Sequence, residues 1–204
     1  MKKTVAVALT GASGMSYGLR LIECLITAGW RVQVLYTQVA QVVARQELDI
    51  ALPARAADAQ VWFCERFGTT AEQLQVYGRE EWFAPLASGS NPPDAMVICP
   101  CTMGTLAAVA AGLSSNLVER AADVCLKEGR KLILVPRETP FSTLHLENML
   151  RLSRMGVVIL PPNPGFYHHP ESVDDLVDFV VARILDQLGV QHALMARWGS
   201  PPQG

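Results

Sequence analysis

Four short stretches of this 204-residue chain concentrate residues able to bind anions or move protons, and each follows directly on an apolar run. The first is Thr10-Gly11-Ala12-Ser13-Gly14-Met15-Ser16-Tyr17-Gly18, whose small residues let backbone N–H groups approach a phosphate or a flat ring. Its spacing is not G-x-G-x-x-G, and Thr37 and Gln38 stand where an acidic residue would hold a ribose. That disfavours NAD and favours an FMN-type or other phosphate-bearing ligand, with a tight ligand-free turn as the alternative. The second stretch, Pro100-Cys101-Thr102-Met103-Gly104-Thr105, offers hydroxyls that either cap a following helix or join its free N–H groups around a ligand. The third, Pro136-Arg137-Glu138-Thr139-Pro140, holds a charged pair between two prolines. The arginine fork suits a phosphate, and the glutamate suits proton transfer if burial raises its pKa; a solvated ion pair on an exposed loop is the other reading. The fourth, Pro161-Pro162-Asn163-Pro164-Gly165-Phe166-Tyr167-His168-His169-Pro170, is stiff and aromatic, and Tyr167 can donate to a phosphate or flank an apolar ligand. Neighbouring side chains diverge, so His168 and His169 read as surface histidines rather than metal ligands.

The elements that must position these stretches alternate in type. Thr4–Leu9 and Arg31–Tyr36 are apolar runs that read as strands, as do residues 95–99, 131–135 and 157–160. Helical patterns cover residues 17–28, 37–46, 102–111, 116–127, 142–155 and 173–188, whereas residues 54–89 carry no clear period. Unbroken apolar strands, each followed by a helix, predict an α/β doubly wound parallel sheet, Rossmann-like or flavodoxin-like, covered on both faces. Ligands of such a sheet bind beyond the carboxyl ends of its strands, where all four stretches fall. The reading is of one domain, residues 1–189, with a tail over 190–204.

Composition narrows the class. Half the residues are hydrophobic and only 18% are charged, which predicts apolar surface hidden in subunit contacts and hence a homo-oligomer. A net charge of −2 gives no footprint for nucleic acid or an anionic membrane. Cys24, Cys64, Cys99, Cys101 and Cys125 read as reduced thiols of a cytoplasmic protein, and no segment has the run of apolar residues that a membrane span needs. Cys99-Pro100-Cys101 is too tight for a zinc knuckle and lacks a second ligand pair, so no metal is expected.

Taken together the loops resemble the UbiX-type flavin prenyltransferases. The matching stretches are Gly11-Ala12-Ser13-Gly14, Ala87-Ser88-Gly89-Ser90, Pro100-Cys101, Arg120 through Glu128, Arg137-Glu138-Thr139-Pro140, Pro161-Pro162 with Phe166-Tyr167-His168, and Arg183-Ile184-Leu185-Asp186. They cover nearly the whole chain, in order. The resemblance implies metal-independent transfer of a dimethylallyl group from dimethylallyl monophosphate to reduced FMN, at N5 and then C6. The product is prenylated FMN, the cofactor of UbiD-type decarboxylases, which in many bacteria serve ubiquinone synthesis. It also implies a homo-oligomer, a dodecamer built from trimers, with sites at subunit interfaces.

By the same resemblance Gly11, Ala12, Ser13, Thr37, Cys101, Thr102, Met103, Gly104 and Arg137 contact FMN; Thr37 replaces the serine usual there and keeps the hydroxyl. Ser88, Gly89, Arg120, Lys127, Tyr167 and Arg183 surround the prenyl phosphate, with Trp198 as an aromatic wall. Ser13, Glu47, Lys127 and Glu138 are the implied catalytic residues. Cations around a departing phosphate each contribute about 2–4 kcal/mol to the transition state, and a developing allylic cation is steadied by an aromatic face. Taken singly, Lys127 also reads as a helix-end charge, Arg183 as a solvated helix residue, Glu47 as an exposed acid and Trp198 as part of the tail. Two rivals share the FMN expectation. A flavin-dependent cysteine decarboxylase resembles this chain in fold but carries an Asn-containing P-A-S-A-N-G-type stretch and an early catalytic histidine; here the corresponding stretch is Pro100–Thr105, and every histidine lies at or beyond His145. A non-enzymatic FMN carrier has no use for the additional cations.

Overall fold

The four longer strands of the sheet are built mainly from apolar residues that leave water on folding. In the computed structural model, which describes residues 2–195, Val5 through Leu9 of β1 (Thr4–Leu9) are all fully buried. The sheet continues through β2 (Arg31–Tyr36), β3 (Leu74–Val76), β4 (Ala95–Cys101), β5 (Lys131–Pro136) and β6 (Val158–Ile159). All pairings are parallel, in the order β3-β2-β1-β4-β5-β6. The chain starts at the centre, winds outwards to β3, returns to β4 and winds the other way. The topological switch therefore lies between β1 and β4, where a crevice opens at the carboxyl ends.

Strand periodicity divides the core in two. Val5, Val7, Leu9, Val32, Val34, Val97, Cys99, Ile133 and Val135 face α1 (Met15–Thr27), α2 (Gln38–Leu48), α3 (Ala56–Phe67) and α7 (Val173–Leu188). Ala6, Ala8, Leu35, Met96, Ile98, Leu132 and Leu134 face α4 (Met103–Ala110), α5 (Leu117–Lys127) and α6 (Thr143–Arg154). The helices that carry functional residues are thus assigned to opposite faces of the sheet. Val190, beyond α7, is buried, and Leu194 and Met195 pack against the first of these cores.

Three local features depart from the sequence reading. Pro100 does not end β4: the strand runs on to Cys101, across a break in register between Ile98 and Cys101. Proline enters a central strand only at such an irregularity, because it brings no N–H to the ladder. Residues 54–89 contain α3, the three-residue β3 and a 3-10 turn at Pro85–Ala87. Thr37, Asn116 and Ser142, expected inside helices, are instead the capping residues of α2, α5 and α6, while Thr102 caps α4 as one of its two readings had it; each side chain accepts an N–H from the first turn.

α1 lies against the sheet because Gly18 has no side chain. A Cβ there would collide with the carbonyl oxygen of Cys99 and with Leu9. The helix can consequently sit close over the β1–β4 junction and hold the first loop at the crevice.

Candidate active site

The crevice is assembled by Thr10, which the sequence reading had not singled out. Its hydroxyl donates to the carbonyl of Pro100 (2.8 Å) and accepts the N–H of Thr102 (2.8 Å), while its own N–H also donates to Pro100 (3.1 Å). Thr10 is fully buried, so these bonds satisfy a polar group that would otherwise be costly, and they lock the loop after β1 to the loop after β4. The signal in the sequence was a hydroxyl closing an otherwise apolar strand. On the far side of β4, the Arg137 N–H donates to the carbonyl of Cys101 (3.3 Å) and draws in the loop after β5.

Around this seam stand Gly11, Ala12, Ser13, Thr37, Cys101, Thr102, Met103, Gly104 and Arg137. Gly11 is packed so tightly on Val39 that any Cβ would overlap it. Ala12 is buried, whereas Ser13 and Arg137 are exposed. Thr102 accepts the Thr105 N–H (3.1 Å) and bonds the Thr105 hydroxyl (2.9 Å); this capping reading is compatible with ligand binding, since the Met103 and Gly104 N–H groups at the helix start have no partner among the described residues. Burial pushes the Cys101 thiol well above its usual range, so it stays neutral and supplies shape rather than charge. Glu138, half-buried, accepts only the N–H of Thr139 (3.1 Å) among the described residues. These residues suit a flat ring bearing a phosphate: a loop stripped of side chains, a helix start with open N–H groups and an exposed guanidinium.

Glu47 is bound in a way the sequence did not disclose. It reaches back from α2 and accepts the N–H of Gly14 (3.0 Å) and of Met15 (3.0 Å). Gly14 precedes α1 in a left-handed conformation (φ 108°) and supplies no side-chain cap. The carboxylate of Glu47 therefore occupies the positive end of α1, which in many related sheets holds a phosphate. The start of α4 and Arg137 remain, among the described residues of the crevice, as groups suited to a phosphate.

A second cluster forms on the α5 face. The Arg120 guanidinium donates from Nε to the carbonyl of Ala87 (3.0 Å) and from Nη1 to Asp123 (2.8 Å). Lys127 pairs with Glu128, whose carboxylate it holds below the usual value, and both ends lie where a Gly89 side chain would be. Ser88 and Ser90 hydroxyls bond each other (2.8 Å) on the same segment. Arg120, Lys127, Ser88 and Gly89 are thus brought together as expected. α5 ends at Lys127 and β5 begins at Lys131, which puts Lys127 and Gly89 near the end of the sheet where strands start, away from the crevice.

Tyr167 and Arg183 stand elsewhere. Tyr167 packs edge-on to Phe179 of α7 (5.9 Å between ring centres), and Arg183 lies on α7 and donates to Asp186 (2.7 Å). α7 covers one face of the sheet and α5 the other, so one chain does not bring Lys127 and Arg183 together. Trp198 lies outside the described residues. Among the described residues no group of three His, Cys, Asp or Glu is placed to hold a metal, and no helix is long and apolar enough to cross a membrane.

Known proteins are similar to this chain in sequence and fold. The Flavoprotein family matches residues 1–185. The chain is 57% identical to the flavin prenyltransferase UbiX of Pseudomonas aeruginosa over 195 residues, covering 96% of this chain and 93% of that one. Among solved structures, the dodecameric FMN-dependent UbiX-like decarboxylase of Escherichia coli O157:H7 superposes with a TM-score of 0.83 at 43% identity, over 97% of this chain and 100% of the other. AnUbiX (PadA1), solved with FMN and dimethylallyl pyrophosphate, gives a TM-score of 0.87 at 34% identity, over 99% and 100%. Sequence and fold agree, and the chain belongs to the Flavoprotein family, among its UbiX flavin prenyltransferases.

Proposed function

We propose that this enzyme moves a dimethylallyl group from dimethylallyl monophosphate to reduced FMN, at N5 and then at C6, and that the prenylated FMN passes to a UbiD-type decarboxylase. The observation that carries the proposal is the second cationic cluster: Arg120 and Lys127 held against 87–89, apart from the flavin-type crevice. A protein that only carried FMN needs one phosphate site. This chain has the makings of two. A cysteine decarboxylase reading has no support in the crevice, whose β4 loop is Pro100–Thr105 without an asparagine.

In this reading FMN is the acceptor substrate, with its phosphate at the first turn of α4 beside Arg137 and its ring along Gly11–Ser13 and Thr37. Reduced flavin supplies the electron-rich nitrogen and carbon that the allyl group joins. Ser13 orients that nitrogen. Glu138 gives a proton to the departing phosphate and afterwards accepts one from the flavin, as a carboxyl group at a crevice edge can. Lys127, Arg120, Tyr167 and Arg183 hold the prenyl phosphate, with Ser88 and Gly89, and steady its growing charge as the C–O bond breaks. Trp198 is assigned to the prenyl group. No metal enters this scheme, since the cations present can take its electrostatic part.

Because α5 and α7 cover opposite faces, the prenyl phosphate site closes only when one chain offers its α5 face to another chain's crevice and α7. We therefore extend the proposal to a homo-oligomer, a dodecamer with interfacial sites, of one domain per chain over 1–189 with a tail over 190–204 whose first residues pack on the core, working in the cytoplasm. The test is anaerobic incubation of the protein with reduced FMN and dimethylallyl monophosphate, followed by mass analysis of the extracted flavin. One C5H8 unit added per flavin is expected, and Glu138→Gln should slow its appearance about 100-fold while FMN still binds. Flavin of unchanged mass would favour the carrier.

A further inference from the structure

Arg183 does not project alone from α7. Asp186, one turn on, accepts its Nη1 through Oδ2 at 2.7 Å, and the other carboxylate oxygen, Oδ1, lies 3.2 Å from Nε2 of His192. His192 follows the end of α7 on the segment 190–195, and its side chain is only 11% exposed. That segment is fastened on both sides of the histidine. The Val190 N–H donates to the carbonyl of Leu185 (3.0 Å), and Leu194 packs into the core beneath. The imidazole is therefore set by packing, the imidazole sets the carboxylate, and the carboxylate sets the guanidinium.

Most one-turn Arg–acid pairs on a helix are loose surface contacts with little consequence; Arg55 and Asp58 on this chain, 3.9 Å apart and well exposed, are one. Asp186 differs because both of its oxygens are taken. A carboxylate gripped at each oxygen cannot swing away, and it holds Arg183 by a single nitrogen. Among the described residues Nε and Nη2 of Arg183 stay open, which leaves one edge of the fork for an anion. Arg120 on the other face shares the acid on Nη1, Asp123, but differs in that the Ala87 carbonyl fills its Nε.

We infer that Asp186 and His192 are positioning residues for the prenyl phosphate, holding Arg183 in its binding orientation before the substrate arrives. An arginine already fixed loses less side-chain freedom on binding, so the contribution appears in substrate affinity. The opposing effect, that Asp186 offsets part of the positive charge, is weakened by water at a half-exposed guanidinium. The inference rests on the reading of Arg183 as a ligand of the prenyl phosphate.

The experiment is steady-state prenyl transfer by the intact oligomer at saturating reduced FMN, with dimethylallyl monophosphate varied, for Arg183→Ala, Asp186→Ala, Asp186→Asn, His192→Ala and the Asp186→Ala/His192→Ala double variant. Asp186→Ala should raise KM about fivefold to tenfold with kcat within about twofold, and His192→Ala should raise KM about threefold. The double variant should be no worse than Asp186→Ala, because both act through one carboxylate. FMN affinity should not change in any of them. Asp186→Asn keeps the shape and one acceptor, and serves if the alanine variant fails to assemble; its KM should rise about threefold. An unchanged or lowered KM in the Asp186 variants, with Arg183→Ala still raising KM, overturns the positioning role alone. A KM unmoved by Arg183→Ala overturns both that role and the phosphate site on which it rests.

Discussion

Glu47 shows how far a residue's type can stand from its use. By sequence it is an exposed acid just past a helical pattern, and by family resemblance it is catalytic; in the structure it lies in α2 and its carboxylate caps α1 through the N–H groups of Gly14 and Met15. These roles are compatible, because a charge spent on the helix start also fixes the loop carrying Ser13. They separate on measurement. Glu47→Ala removes the side-chain acceptor that, among the described residues, serves that helix start and should lower unfolding free energy by about 1–2 kcal/mol, whereas Glu47→Gln keeps an acceptor and should cost less than half of that. Urea unfolding checks it: equal stability in wild type and Glu47→Ala would mean the cap contributes nothing. A catalytic part, if Glu47 also has one, would show as a turnover loss in Glu47→Gln out of proportion to its stability. Gly89 makes a similar point. Its missing side chain is space already taken by Lys127 and Glu128, which no spacing rule discloses.

Among the elements, β4 carries the greatest load. It pairs with β1 and β5, spans the switch point and buries Cys99 and Cys101 completely. Burial pushes both thiols up, and Cys125 of α5, behind the same sheet, is raised to about 12. The sign follows from proton counting. Between the unfolded thiol value near 9.0 and these higher folded values, the folded chain keeps protons that the unfolded chain has released. Stability is thus fully present below pH 9 and falls as pH rises towards 12, by up to about 1.4 kcal/mol per pH unit for each thiol. Urea midpoints at pH 8, 9 and 10 should drop progressively, and Cys125→Ala should flatten that fall by less than one third, because Cys24 and Tyr36 are raised by burial as well. Parallel pH profiles for variant and wild type would sink this account. The same strand marks where the sequence was legible. Its apolar run announced a buried parallel strand, and the loop after it announced a ligand site. What the sequence concealed was the passage through Pro100, because a lone proline signals a strand's end and only the register break permits otherwise. β3 was hidden for another reason: three residues with one exposed are too few to show a period. Most strand limits and the helix caps were readable to within a few residues, since apolar runs and Ser/Thr/Asn signals are local. The division of α5 and α7 between two faces was not, since it depends on the winding of the whole chain.

At the scale of the molecule, that division becomes a constraint on assembly. Few charges cover this chain, and large apolar side chains stand in water on a single copy: Phe83, Phe166, and Leu144, Leu146 and Leu150 along α6. Surfaces of that kind are normally closed by other subunits. If the prenyl phosphate lies between Lys127 of one chain and Arg183 of another, two different defects can compensate. At dimethylallyl monophosphate well below KM, Lys127→Ala and Arg183→Ala homo-oligomers should each be nearly inactive. When the two variants are co-expressed in equal amounts and purified together through separate tags, a shared site draws its lysine and its arginine independently. Each is intact in half of the cases, so about a quarter of the sites should be whole and about a quarter of wild-type turnover should return. A site built within one chain offers no such route, because every chain in the mixture carries one defect. Mixed oligomers no more active than their parents would therefore place Lys127 and Arg183 in separate sites and remove the interfacial reading.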